Sequence, residues 1–174
     1  QSAIIDCCIN SGEISATDTA GNSYAGGIAG EVCSKAIVTH CTNQGTVKAD
    51  YCAGGIAGDI FTNGSIANCN NLGEITGNDY AGGISGFSRS KITYSSNCGE
   101  ITTLASSSEA GGIVGMQNGG EVKHCYNTGL IYSDIKLGYF GGIVGASWHG
   151  SKIENSYNAG SITAENSTSG GIVG

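Results

Sequence analysis

The chain has 174 residues, seven basic against fourteen acidic side chains, and a net charge of -7. That balance argues against nucleic acid and anionic membrane as partners, because both reward clustered Lys and Arg, and the few basic residues here are scattered. No apolar run approaches the roughly 20 residues of a membrane-spanning helix, and no charged-then-apolar leader opens the sequence.

The first element, residues 5–14, has the form [Ile/Val]-x-x-[Cys/Ser]-x-Asn-x-Gly-x-[Ile/Val] and is followed at Gly26 by Gly-Gly-Ile-x-Gly. The block returns at 38–47, 66–75, 92–101, 122–131 and 153–162, and the glycine pair at Gly54, Gly82, Gly111, Gly141 and Gly170. Successive pairs are 28, 28, 29, 30 and 29 residues apart, a period that marks a solenoid whose coils bury apolar residues only against their neighbours. The repeat holds most of the 31 glycines, so glycine here is positional and does not mark a linker. The units run 1–30, 31–58, 59–86, 87–115, 116–145 and 146–174 within one repeat domain. Both ends fall on repeat boundaries, so the expectation is a piece of a longer chain.

Within each copy the ten-residue block keeps its length, whereas the offset from its last Ile or Val to the glycine pair varies from 7 to 12 residues. Constant spacing marks ladder and variable spacing marks loop. Ile/Val-x-x-Cys reads as a short strand, Asn-x-Gly as a tight turn with Asn suited to left-handed geometry, and Gly-x-Ile-Thr as a second strand. Ala-Gly-Gly-Ile-Ala-Gly reads as a third, in which glycine admits a close neighbour. The prediction is an all-β parallel β-solenoid (β-helix) of about six coils with three short strands each. Three parallel sheets would surround one narrow core, in a column about 29 Å long at a strand spacing of about 4.8 Å. Crossover handedness favours right-handed winding. A propeller-like array would need more strands per unit than this period supplies.

Equivalent side chains should then stand in single files. Asn10, Asn43, Asn71, Asn97, Asn127 and Asn158 form an amide ladder in this reading, and Ile28, Ile56, Ile84, Ile113, Ile143 and Ile172 an internal aliphatic stack. Cys8, Cys41, Cys69 and Cys125 share a column with Ser95 and Ser156, so the position takes a small buried atom and the thiols stay free; parallel Cβ vectors suit a disulfide poorly. Cys7, Cys33, Cys52 and Cys98 lie off that column, with a bridge among the first three left open.

Candidate chemistry is sparse. No Cys-x-x-Cys occurs, and His40 and His124, each preceding a column cysteine, lie three coils or roughly 14 Å apart, too far to share a metal. His149 sits beside Trp148 in a loop and reads as solvated. Arg89 is the sole arginine, and Asp50, Asp59 and Asp79 fall at three different positions of the unit, which does not suit a polysaccharide-cleaving β-helix enzyme with converging acids. Glu31 and Asp59 share a column as a weak Ca²⁺ pair or, in the preferred reading, as two solvated acids. Lys91, Glu121 and Lys152 should stack in alternating sign, each exposed pair worth a fraction of a kcal/mol. Tyr24, Tyr80 and Tyr139 share a column and either stack on sugar rings or shield a strand end. No catalytic, metal or cofactor site is assigned, and no ligand is specified.

Gly-Gly-Ile-Val-Gly at 111–115 and 141–145, followed by Val122-Lys-His-Cys-Tyr-Asn-Thr-Gly129 or Ile153-Glu-Asn-Ser-Tyr-Asn-Ala-Gly160, resembles the GLUG motif. Such repeats occur in the IgA-protease family and in large bacterial surface proteins and adhesins. The resemblance covers essentially the whole chain. It implies a non-catalytic structural or adhesive segment of an exported bacterial cell-surface protein, extracellular or secreted, acting as a rigid spacer or display scaffold. The His-Glu-x-x-His motif of the IgA proteases does not occur in this sequence. An alternative reading is a module that binds a glycan or a host surface protein through the variable loops at 15–24, 102–109 and 132–140. A polysaccharide-degrading enzyme is a remote third. Uncapped end coils are expected to stack end to end.

Overall fold

The computed structural model describes residues 2–18, 22–33, 35–134 and 137–174. The predicted loops at 15–24 and 132–140 therefore fall partly outside the described residues. The first coil consists of five short strands: β1 (Ile4–Asp6), β2 (Ile9–Asn10), β3 (Ile14–Ala16), β4 (Tyr24–Gly26) and β5 (Ala29–Val32). Each heads a ladder. The β1 to β4 ladders take one strand from each of six coils and the β5 ladder from five, with Val173 adding a lone parallel bridge to Val144. Pairing is parallel and keeps the sequence columns aligned, as in Ile5 with Val38 and Asn10 with Asn43. The chain is a parallel β-solenoid as the period predicts, but with five strands per coil where three were expected.

Two corners account for the difference. The residue before the Cys/Ser column is left-handed in every coil: Cys7, His40, Asn68, Tyr94, His124 and Asn155 have φ between 48° and 55°. The left-handed residue thus stands one step before Cys or Ser and not at the repeat Asn, which lies extended in the β2 ladder. Past this corner the column side chain takes part in the ladder. The Cys41 amide donates to Cys69 Sγ at 3.4 Å, the Cys69 amide to Ser95 Oγ at 3.2 Å, and Cys69 Sγ donates back to the Ala67 carbonyl at 3.2 Å. The column therefore selects a small side chain that both donates and accepts, which a thiol or a hydroxyl provides and an alkyl group does not. The second corner is Gly-Gly-Ile, where one carbonyl, Ile56 O, accepts the amides of both Ile28 (3.1 Å) and Ala29 (3.0 Å). The chain swings there, so the predicted third strand splits into β4 and β5.

The cross-section has layers in place of one narrow core. Every residue of Cys52–Gly54 and Ala57–Ile60 is buried, whereas Val47–Ala49 alternates buried, exposed, buried. The β4 and β5 ladders are thus interior and lie back to back: a methyl group at Gly86 would come 2.9 Å from the Ala53 nitrogen. One core, with Val38, Ile56, Ile60 and Ile66, fills the space between the β1 and β5 ladders. A second, with Val47, Ala53, Ile75 and Ala81, lies between the β3 and β4 ladders. The β2 ladder closes one end by resting on the Gly-Gly corner, and the connections of variable length gather at the other.

The asparagines form the predicted file. Side-chain amides donate from Asn10 to Asn43 (2.8 Å), Asn43 to Asn71 (2.8 Å), Asn71 to Asn97 (2.7 Å), Asn97 to Asn127 (2.8 Å) and Asn127 to Asn158 (2.8 Å). Each Nδ2 also donates to the carbonyl of the glycine two residues on, as from Asn71 to Gly73 at 2.8 Å. The isoleucine stack is present too, with Ile56, Ile84, Ile113 and Ile143 fully buried. All eight cysteines are free thiols, so no bridge links Cys7, Cys33 and Cys52. Burial pushes the Cys69 thiol up to about 12 and the Cys125 thiol up to about 11, which leaves both unreactive. No helix among the described residues is long and apolar enough to cross a membrane.

Candidate functional site

The β3-to-β4 connections vary in length because they lie outside both cores, and two clefts run along them. The larger, about 410 Å³, is lined by Ser107, Glu109, Tyr139, Asn166, Ser167 and Thr168 around the apolar Leu137. Ladder register builds it: Tyr80, Glu109, Tyr139 and Thr168 are consecutive partners in the β4 ladder. The smaller, about 180 Å³, borders Thr17, Lys48, Asp50, Thr76 and Asn78. Its Asp50 carboxylate accepts from the Asp18 amide (2.9 Å) and from Asn78 Nδ2 (3.2 Å). Hydroxyls, an amide and a carboxyl line the larger cleft beside a tyrosine ring, which sets polar groups around one flat apolar surface.

Glu109 is the acid of that cleft. Burial, with a further push from Asp79, raises its carboxyl to about 7, above its ordinary 4.5. A carboxyl raised on folding stabilises the fold below 4.5 and loses that contribution as the pH climbs through about 7. Glu109→Gln is therefore expected to remove a pH slope between these values and to gain about 1 kcal/mol at pH 8, a figure discounted for partial exposure. Urea midpoints across that pH range measure it.

The predicted tyrosine column divides. Tyr24 and Tyr80 sandwich Tyr51 in an edge-to-face row, with centroids 5.6 and 5.3 Å apart, and the row continues to Phe87 at 5.5 Å. These rings shield the ends of the inner strands. Tyr139 stays half exposed at the larger cleft. Beside the ring row, Arg89 Nη1 donates to both carboxylate oxygens of Asp59 (3.1 and 2.8 Å), and its guanidinium lies over Phe61 and Phe87 at 4.8 and 4.3 Å. Asp59 is 1 % exposed and ion-paired to Arg89, whereas Glu31 is exposed, so the reading of two solvated acids holds for Glu31 and fails for Asp59, and the Ca²⁺ alternative loses one of its two ligands to that ion pair. Burial raises the Asp59 carboxyl and Arg89 opposes the rise.

The three histidines part company. His124 stacks on Tyr94 at 4.8 Å, and His149, exposed and left-handed, sits beside Trp148. His40 Nδ1 lies 3.0 Å from Asp6 Oδ1, whose carboxylate also accepts from Cys7 Sγ at 3.4 Å. The donor atoms of Asp6, Cys7 and His40 all lie within 4.8 Å of one another. This cluster was legible in principle, since Cys7 and His40 both precede a column cysteine in adjacent coils. Of the expected charge stack, Lys91 meets Glu121 at 3.4 Å, but Lys152 turns to Glu154 at 2.9 Å, which also holds Lys123 at 3.3 Å.

Fold and clefts together define a parallel β-solenoid with inner strands packed on glycine and two clefts on its loop side. A crystal structure described as that of a "putative immunoglobulin A1 protease" from Bacteroides ovatus is similar, with a TM-score of 0.60 and 18 % identity, covering 94 % of this chain and 56 % of that one. At that identity the likeness shows the fold, and the chain spans little over half of its neighbour's length. No family model matches the chain, and no curated protein matches it.

Proposed function

We propose that this chain is a non-catalytic repeat segment of a bacterial cell-surface or secreted protein, of the GLUG type, serving as a rigid spacer that displays its loop side. The observation that carries the reading is the continuous amide file from Asn10 to Asn158, fully buried from Asn43 to Asn127, which ties six coils into one stiff column. The neighbour, described as a "putative immunoglobulin A1 protease" from Bacteroides ovatus and spanned by this chain over 56 % of its length, supports a setting in a bacterial protein. The exposed Ile4 and Ile9 of the first coil and Ile172 and Val173 of the last support stacking of further layers or of a second copy on the ends. In the parent protein, deleting one coil should reduce the surface accessibility of a terminal epitope without touching any enzymatic activity. An unchanged reach, or turnover of immunoglobulin A or of an anionic polysaccharide by the purified chain, would overturn the reading.

The larger cleft favours a second role, weak glycan binding. Among the described residues Glu109 lines it and Asp79, whose carboxyl pushes on Glu109, does not, so the cleft presents one carboxyl where glycoside hydrolysis uses two flanking the bond, an arrangement that favours holding a sugar. On a glycan array Tyr139→Ala should lose signal that the parent chain retains. A blank array for the parent chain would remove this role.

A further inference from the structure

We propose that Asp6, Cys7 and His40 form a transition-metal site for Zn²⁺ at the outer corner between the first two coils. The corner geometry brings the three together. Cys7 and His40 occupy equivalent left-handed positions, φ 55° and 51°, one coil apart, so their side chains leave the corner side by side, and Asp6 precedes Cys7 on β1. At the other left-handed corners the equivalent residues are Asn68, Tyr94, His124 and Asn155, so the triad is particular to this pair of coils.

The donor set matches a borderline-soft ion: one thiolate, one imidazole and one carboxylate. Tetrahedral zinc with bonds of about 2.0–2.3 Å separates its ligand atoms by roughly 3.3–3.8 Å. Here Asp6 Oδ1 and His40 Nδ1 are 3.0 Å apart, Cys7 Sγ and Asp6 Oδ1 are 3.4 Å apart, and the full set lies within 4.8 Å. These separations differ from the tetrahedral spacing by no more than about an ångström. All three side chains are exposed, so the ion enters from solvent, and the fourth position stays open to water or to a ligand from another molecule. Binding releases the Cys7 proton and clips the first coil to the second, so affinity rises with pH and thermal stability rises with metal concentration.

The test is titration of the reduced whole chain with Zn²⁺ by calorimetry, and with Co²⁺ by absorption, in a non-thiol reductant. One ion per chain is expected, with a thiolate-to-Co²⁺ charge-transfer band and a thermal shift on Zn²⁺ addition. Cys7→Ser should abolish the band, and Asp6→Asn and His40→Gln should each weaken Zn²⁺ at least tenfold, whereas Cys8→Ser and Cys33→Ser should bind as the parent does. Circular dichroism checks that each variant folds. No saturable binding would reduce the cluster to an ion pair and overturn the proposal. So would a charge-transfer band that survives Cys7→Ser or disappears with Cys8→Ser.

Discussion

Asn71→Leu is expected to destabilise the chain by about 4 kcal/mol, although leucine fills nearly the same volume. Asn71 is fully buried, and its amide serves three partners: it accepts from Asn43, donates to Asn97 and donates to the Gly73 carbonyl. Leucine removes all three bonds and strands an N–H of Asn43 and a carbonyl of Gly73 away from water, each costing about 1–3 kcal/mol. The glycine facing this amide leaves no room to adjust, because a methyl group at Gly55 would already overlap Asn71. The same substitution at Asn10 should cost only about 1 kcal/mol, since that end of the file is half exposed and solvent replaces what is lost. Urea unfolding of both variants measures the contrast. Equal small losses would show that the file does not bind the coils together.

Arg89→Met should cost about 3–5 kcal/mol near neutral pH, the penalty for stranding a buried charge. Methionine keeps part of the contact with Phe61 and Phe87, so the loss falls mainly on Asp59, which has no water to turn to. The sign of the pH dependence follows from that carboxyl. Burial raises it above its ordinary 3.8 even with Arg89 present, and the guanidinium is what holds the rise down. Without the arginine the carboxyl rises further, so the variant matches the parent most closely near pH 4 and loses ground as the pH climbs through the folded value. Adding Asp59→Asn to Arg89→Met should flatten the slope and recover much of the loss, an interaction that a double-mutant cycle reads directly. A variant with no pH-dependent deficit would mean that solvent reaches Asp59.

Register and column membership were legible in the residues because each copy has to lie over the last: Asn over Asn, Ile over Ile, and Cys or Ser over Cys. The candidate site was less so. The Asp59–Arg89 pair joins residues from different repeat positions, and in the larger cleft the period aligns Glu109, Tyr139 and Thr168 in one column but does not say which loop residues meet beside them. The Asp6–Cys7–His40 cluster lies between, since two of its members share a column that periodicity already marks.

The sequence by itself determined the parallel stack, its six coils and the identity of each file, because identical residues at a fixed interval can satisfy one another only by lying in register. Tertiary structure alone decided that a coil bends five times, that two cores flank a back-to-back pair of inner ladders, and that Asp59 is buried beside Arg89. Those outcomes depend on where the chain turns within a layer. A left-handed corner occupied in turn by Cys, His, Asn and Tyr has no single residue type to announce it, and the Gly-Gly-Ile turn is set by contact with the asparagine amide across the section.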